Sequence, residues 1–170
     1  FDENIHCLED LLFMYQYLLH CDYLVLNHMQ NYVYVKHSFS LSHRIHSFES
    51  EYCCFVKYQQ LLAEMMKVWK IPAGDMVVTV NSMLVPFRRA LKSDYQPDRT
   101  IPREMRVKHL KRMISESRDV FLKYYHPVFK TDKLGKVLLG FNCYILYDFY
   151  IRLLFRLNIG PVFYGPKHMY

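Results

Sequence analysis

The densest run of one chemistry lies between residues 103 and 118, where Arg103, Arg106, Lys108, Lys111, Arg112 and Arg118 are concentrated. Lys108, Lys111, Arg112, Ser115 and Arg118 recur at three- and four-residue intervals, offset from the apolar Leu110, Met113, Ile114 and Phe121. On a helix that rhythm gathers the cations on one face. A face of this kind neutralises phosphates or an acidic protein surface, so these six residues, with Arg88 and Arg89 and the nearby Lys92, are the candidate partner- or phosphate-binding site. Glu104, Glu116 and Asp119 are interspersed, and no glycine or aromatic interleaving marks an RNA-binding platform, a pattern that also fits the solvated side of an amphipathic helix.

A second grouping is rich in metal-ligating types. Six histidines fall in the first 46 residues, and His43-x-x-His46 precedes the neighbouring Cys53 and Cys54, with His6-Cys7 and His20-Cys21 further upstream. These are borderline-soft ligands, yet none stands at a zinc-site spacing, and adjacent helical cysteines point about 100° apart. The expectation is therefore no metal. For nucleophilic chemistry Cys54 with some histidine, or the adjacent Ser42-His43, offers residue types without an orienting group. The chain holds no Gly-x-Gly-x-x-Gly, phosphate loop, His-Glu-x-x-His or Gly-x-Ser-x-Gly. It is accordingly read as non-enzymatic, with no catalytic residue and no cofactor.

Charge is unevenly divided along the chain. Residues 1–60 carry seven Asp/Glu and three Lys/Arg, whereas residues 61–170 carry nine and nineteen. The basic part is the one suited to an acidic partner. Hydrophobic residues make up 52% of the 170 residues and charged ones 22%, which excludes a disordered chain. Five cysteines, an odd number set in apolar stretches, read as free thiols of a reducing compartment. Localisation is thus expected to be intracellular, in cytoplasm or nucleus. The chain begins with Phe1 and shows no signal-peptide order, so residues 1–170 are expected to form a single helical domain excised from a larger protein.

The elements that must position these residues are read from apolar periodicity. Leu8, Leu11, Leu12, Tyr15, Leu19, Leu26, Met29 and Val33 follow Asp2, a candidate N-cap, at helical spacing, as one long helix or a pair broken near Cys21. Residues 37–47 read as a loop. Ser47 caps a helix with Glu49 and Glu51 in its first turn, which Lys70 and Pro72 close. Residues 76–92 read as a helix bent at Pro86, with a short strand over 76–80 as the alternative. After a polar connector from Ser93 to Pro102, Thr100 and Pro102 open a helix striped by Met105, Leu110, Met113, Ile114, Phe121 and Tyr124 and ending before Pro127. Thr131 or Asp132 caps a last helix over residues 133–158.

Residues 137–151 are apolar nearly all round, so that last helix must be enclosed, or partly exposed at a protein interface. Asp148 and Arg152 would be costly in lipid, and no membrane span is expected; their four-residue spacing permits an intrahelical ion pair. The sequence predicts an all-α, single-domain bundle of about five helices with a central, largely apolar C-terminal helix. Its expected role is that of a non-enzymatic protein–protein interaction or scaffolding module. Nucleic-acid binding through the helix around residues 103–118 is the alternative.

Overall fold

In the computed structural model of the chain, residues 3–6, 8–25, 45–70, 77–96, 98–125, 127, 130–157 and 159 are described. Among them are seven helices and no strand: α1 (Glu9–Leu18), α2 (Phe48–Trp69), α3 (Val77–Ser93), α4 (Arg103–Glu116), α5 (Arg118–Tyr124), α6 (Lys130–Gly140) and α7 (Tyr144–Arg156). The all-α expectation is met. Residues 77–93 are helical, with Pro86 inside the helix and buried, so the strand alternative is discarded.

Local signals explain the boundaries of α2. Ser47 Oγ accepts a hydrogen bond from the Ser50 amide at 3.3 Å, and Lys70 closes α2 in the left-handed region at φ 51°. The Ser47 cap and an end at Lys70 were expected from the capping preference of Ser and the favourable placing of cations there; the left-handed backbone of Lys70 was not. At the other end of the chain, α1 stops at Leu18, just before Cys21, where the periodicity allowed a break. It begins at Glu9, with Leu8 rather than Asp2 at its N-cap; Asp2 and residues 26–44 lie outside the described residues.

The count exceeds five because two long predicted helices are divided. Ser117 separates α4 from α5 with only a small change of course, since its amide still bonds Met113 O at 3.2 Å and its carbonyl accepts from the Phe121 amide at 2.9 Å. The break between α6 and α7 is sharper. Asn142 adopts φ 58°, its amide bonds Leu139 O at 3.0 Å, and the Cys143 amide bonds Leu138 O at 2.8 Å. That pair of bonds is a Schellman termination with Asn in the left-handed position usually given to Gly. Arg118 from α5 clamps the turn, its Nη1 donating to Asn142 Oδ1 at 3.0 Å and its Nη2 to Gly140 O at 3.2 Å.

The core begins between α2 and α3, the most extensively packed pair of helices. An aromatic chain runs through it: Phe55 of α2 meets Phe87 of α3 at 5.0 Å between ring centroids, and Phe87 meets Phe121 of α5 at 5.9 Å and Tyr125 at 5.4 Å. Phe55, Phe87 and Phe121 are fully buried. Each such ring removes on the order of 150–250 Å² from water, so this chain is a main source of cohesion. α1 lies on α2 through buried Leu12 and the edge-on pair Tyr15 and Tyr58, 6.0 Å apart. α7 packs on α4 and α6, burying Tyr147, Ile151 and Leu154.

The expected central helix is corrected by this arrangement. α7 buries one side only, and Ile145, Leu146, Phe149 and Leu153 are exposed, Phe149 by 67%. The Schellman turn accounts for this, because it folds α7 back onto α6 and so leaves each helix an outer side. Replacing Asn142 tests the turn. Asn142→Val should cost about 1–2 kcal/mol from the left-handed backbone alone, whereas Asn142→Gly should lose only the contacts to Arg118 and Tyr144. Urea midpoints of the two variants should rank Val well below Gly; equal midpoints would mean that the turn is not held by backbone conformation.

Candidate functional site

The eight predicted site residues fall into three groups. Arg89 and Arg106 are buried. Arg89 of α3 donates from Nε and Nη2 to Glu51 of α2, each at 2.8 Å, and Glu51 also accepts from the His46 amide at 2.8 Å. Arg106 of α4 donates from Nε to Asp148 Oδ1 at 2.6 Å and from Nη2 to Oδ2 at 3.0 Å, and its Nη1 bonds Ile101 O. These guanidinium forks hold the helix packing rather than facing solvent.

Arg112, Arg118 and Arg88 stand at the surface with partners. Arg112 pairs with Glu49 at 2.9 Å and Glu116 at 3.4 Å, and its guanidinium lies 4.9 Å from the Tyr52 ring centroid. Arg118 holds the α6–α7 turn, and half-buried Arg88 sits 5.7 Å from the Tyr125 centroid. Arg103, Lys108 and Lys111 are exposed on α4. Of the predicted cationic face, Arg103, Lys108 and Lys111 are open, Arg88 and Arg118 meet only neutral groups among the described residues, and Arg89, Arg106 and Arg112 pair with carboxylates. Met105, placed in the apolar stripe, is 43% exposed, while Leu110, Met113, Ile114 and Phe121 are buried as expected.

Asp148 does not pair with Arg152. A carboxylate on an otherwise apolar helix must find a cation when buried, and it turns inward to Arg106, leaving Arg152 exposed. The Tyr95 hydroxyl donates to the same Oδ1 at 3.1 Å. Burial, followed by the Asp148 charge, holds the Tyr95 hydroxyl above its usual range. Tyr52, which donates to Glu116 Oε2 at 2.7 Å, is pushed up to about 12 by burial and that hydrogen bond.

His6 and His46 rings approach to 5.5 Å. His109 Nδ1 lies 2.7 Å from Asp94 Oδ2, and its ring stacks on Phe48 at 4.0 Å. Among the described residues no group of three or more His, Cys, Asp or Glu is disposed to hold a metal ion; His43 and Cys7 lie outside them. Cys54 is buried and Cys21, Cys53 and Cys143 are partly buried, and these four form no disulfide. No described helix is long and apolar enough to cross a membrane.

The feature that the sequence reading underweighted is the outer side of the α6–α7 hairpin. Leu134, Val137 and Phe141 are exposed along α6 and its end, and Ile145, Leu146, Phe149 and Leu153 along α7. At 100° per residue the α7 set lies opposite the buried Tyr147, Ile151 and Leu154. Exposed Lys130, Lys133, Arg152 and Arg156 accompany it. Both acids of the hairpin are engaged inward, Asp132 with Lys92 at 3.7 Å and Asp148 with Arg106. Apolar residues all round residues 137–151 were the available signal; the turn that opens the helix was the missing part.

Two outcomes follow. Removing one partner of the Arg106–Asp148 pair leaves a buried charge, so Arg106→Met should destabilise by about 3–5 kcal/mol, whereas Arg106→Met with Asp148→Leu should recover most of the loss. Denaturant curves of both variants check this. For pH, burial raises Tyr95, Tyr125 and Tyr147 above the ordinary 10.0. The unfolded chain then releases these protons first, so their stability contribution is full below pH 10 and is lost as pH rises beyond it. Lys92, lowered by burial, acts in the opposite sense, but three phenols outweigh one amine. Urea titrations should show declining stability above about pH 10, less steeply in Tyr125→Phe. No family model, curated protein or solved structure matches the chain.

Proposed function

We propose that this chain is a non-enzymatic helical protein-interaction or scaffolding module that docks its partner on the outer side of the α6–α7 hairpin. The observation that carries the reading is the run of exposed large apolar side chains, Phe141 at 77% and Phe149 at 67% with Ile145, Leu146 and Leu153 between and beyond them. Contiguous exposed apolar surface of this extent is where soluble proteins meet partners. The charge around it selects the partner. Because Asp132 and Asp148 are neutralised internally while Lys130, Lys133, Arg152 and Arg156 are exposed, a partner segment with an apolar stripe flanked by Asp and Glu is complementary. A reducing compartment, cytoplasm or nucleus, accords with the buried thiol of Cys54.

The second reading, nucleic-acid binding, is favoured by Arg103, Lys108 and Lys111, exposed on α4. It ranks lower because Arg89, Arg106 and Arg112 already face carboxylates at 2.6–2.9 Å, so few open charges remain to release counterions. Comparative affinity purification with the wild-type chain, Phe149→Ser with Ile145→Ser, and Lys108→Glu with Lys111→Glu separates the two. The docking reading expects a nuclease-resistant protein partner that the α7 variant loses and the α4 variant keeps. Recovery that nuclease removes, or that only the α4 variant loses, reverses the ranking.

A further inference from the structure

A cleft of about 280 Å³ lies where the α3–α4 connector meets α4 and α7, bordered by Tyr95, Arg99, Thr100, Arg106, Arg152 and Phe155. We infer that it is a binding site for a phosphomonoester that carries a flat or apolar body. It lies beside the docking surface proposed above and shares only Arg152 with it.

Charge supplies the first part of the case. Three guanidinium groups border one cleft, and their states differ. Arg106 is neutralised by Asp148. Arg99 is different: its Nη1 donates to His46 O at 2.7 Å and Ser93 O at 3.0 Å, and its Nη2 to Ile45 O at 2.7 Å. Three backbone carbonyls fix its orientation without cancelling its charge. Arg152, on α7, is exposed and makes no ion pair among the described residues. The one carboxylate on the cleft wall, Asp94, is 8% exposed in its side chain and engaged with His109 Nδ1 at 2.7 Å. Arg99 and Arg152 thus make no ion pair among the described residues, one held by three carbonyls and the other exposed.

Geometry supplies the second part. Arg99 and Thr100 come from the connector and Arg152 from α7, so residues that carry donor groups border the cleft from separate elements. A flat carboxylate is satisfied by a single guanidinium fork, whereas a tetrahedral dianion has oxygens for donors arriving from several directions. Two open charges match the charge of a phosphomonoester at neutral pH. The apolar wall is the third part. Tyr95 and Phe155 lie near parallel at 6.3 Å, and Arg106 covers Tyr95 from 5.7 Å. Phe155 is half-buried, leaving part of its surface for the body of a ligand. Small-molecule sites combine such an apolar wall with a few fixed polar groups.

The test is calorimetric titration of the 170-residue chain with inorganic phosphate, phenyl phosphate, phenol and a phosphotyrosyl peptide beside its unphosphorylated form. Phenyl phosphate should bind more tightly than inorganic phosphate, and phenol should not bind. Arg152→Gln should weaken phenyl phosphate roughly tenfold while leaving the melting temperature unchanged, because one charge-assisted contact is lost from an exposed residue. Thr100→Val, a second exposed change, should weaken it less. Binding of the phosphopeptide above phenyl phosphate would identify a partner chain as the source of the phosphate; equal affinities would identify a free ester. Absence of phenyl phosphate binding at millimolar concentration, or binding that Arg152→Gln leaves unaltered, overturns the site.

Discussion

Asp148 is the single acidic residue of α7, and where it points decides the rest. An ionised carboxylate leaving water costs several kcal/mol unless a cation and further donors replace its hydration. Arg106 supplies a two-pronged fork and Tyr95 a hydroxyl, so Asp148 can be buried only with α7 rotated toward α4. That rotation carries Tyr147, Ile151 and Leu154 inward with it. By the same rotation Ile145, Phe149 and Leu153 turn outward, although their side chains are as apolar as those enclosed. The turn at Asn142 gives this helix an outer side, and where one charge had to go decides which residues occupy it.

The same logic governs the basic half of the chain. Its charge excess looks like a surface for polyanions, yet two of its arginines are drawn to carboxylates that an earlier segment supplies. Glu51, in the first turn of α2, takes Arg89 of α3; Glu49 on the same turn takes Arg112 of α4. The mildly acidic first third and the basic remainder are thus partly complementary within one molecule. Because the buried pairs join different helices, they contribute more to the choice of packing partner than to net stability, which the aromatic chain from Phe55 to Tyr125 carries.

Legibility in the sequence followed the range of the interaction. Ser47, the Glu-rich first turn of α2 and Lys70 announced that helix, because capping is settled within four residues. Pro86 was correctly read as a residue inside a helix, since no second strand stood ready to pair with residues 76–80. The Asn142 turn is not legible in the pattern, because the continuous apolarity of residues 137–151 outweighs the local stop signal of Gly140-Phe141-Asn142. Arg106 and Arg118 were grouped with Lys108 and Lys111 by spacing alone. What separated them was the approach of Asp148 and of the α6–α7 turn, forty-two and twenty-four residues away respectively, and no periodicity encodes a partner at that distance. Arg99 carried no local signal, as its partners are main-chain carbonyls that every residue possesses.

One helix therefore borders both proposed surfaces. Arg152 stands on the edge of α7 between the apolar strip around Phe149 and the cleft beside Tyr95 and Phe155. A phosphate drawing Arg152 over the cleft takes that cation away from the rim of the strip, and an acidic partner segment drawing it to the rim takes it from the cleft. By linkage, whatever either ligand does to the affinity of the other must be returned in equal measure. Competition for a single guanidinium makes the coupling negative, and its size is bounded by what one exposed charge contributes to either ligand. The two proposed sites are then distinguishable in their residues but not independent in their energetics, and the residue that joins them is the one Asp148 left unpaired when it turned to Arg106.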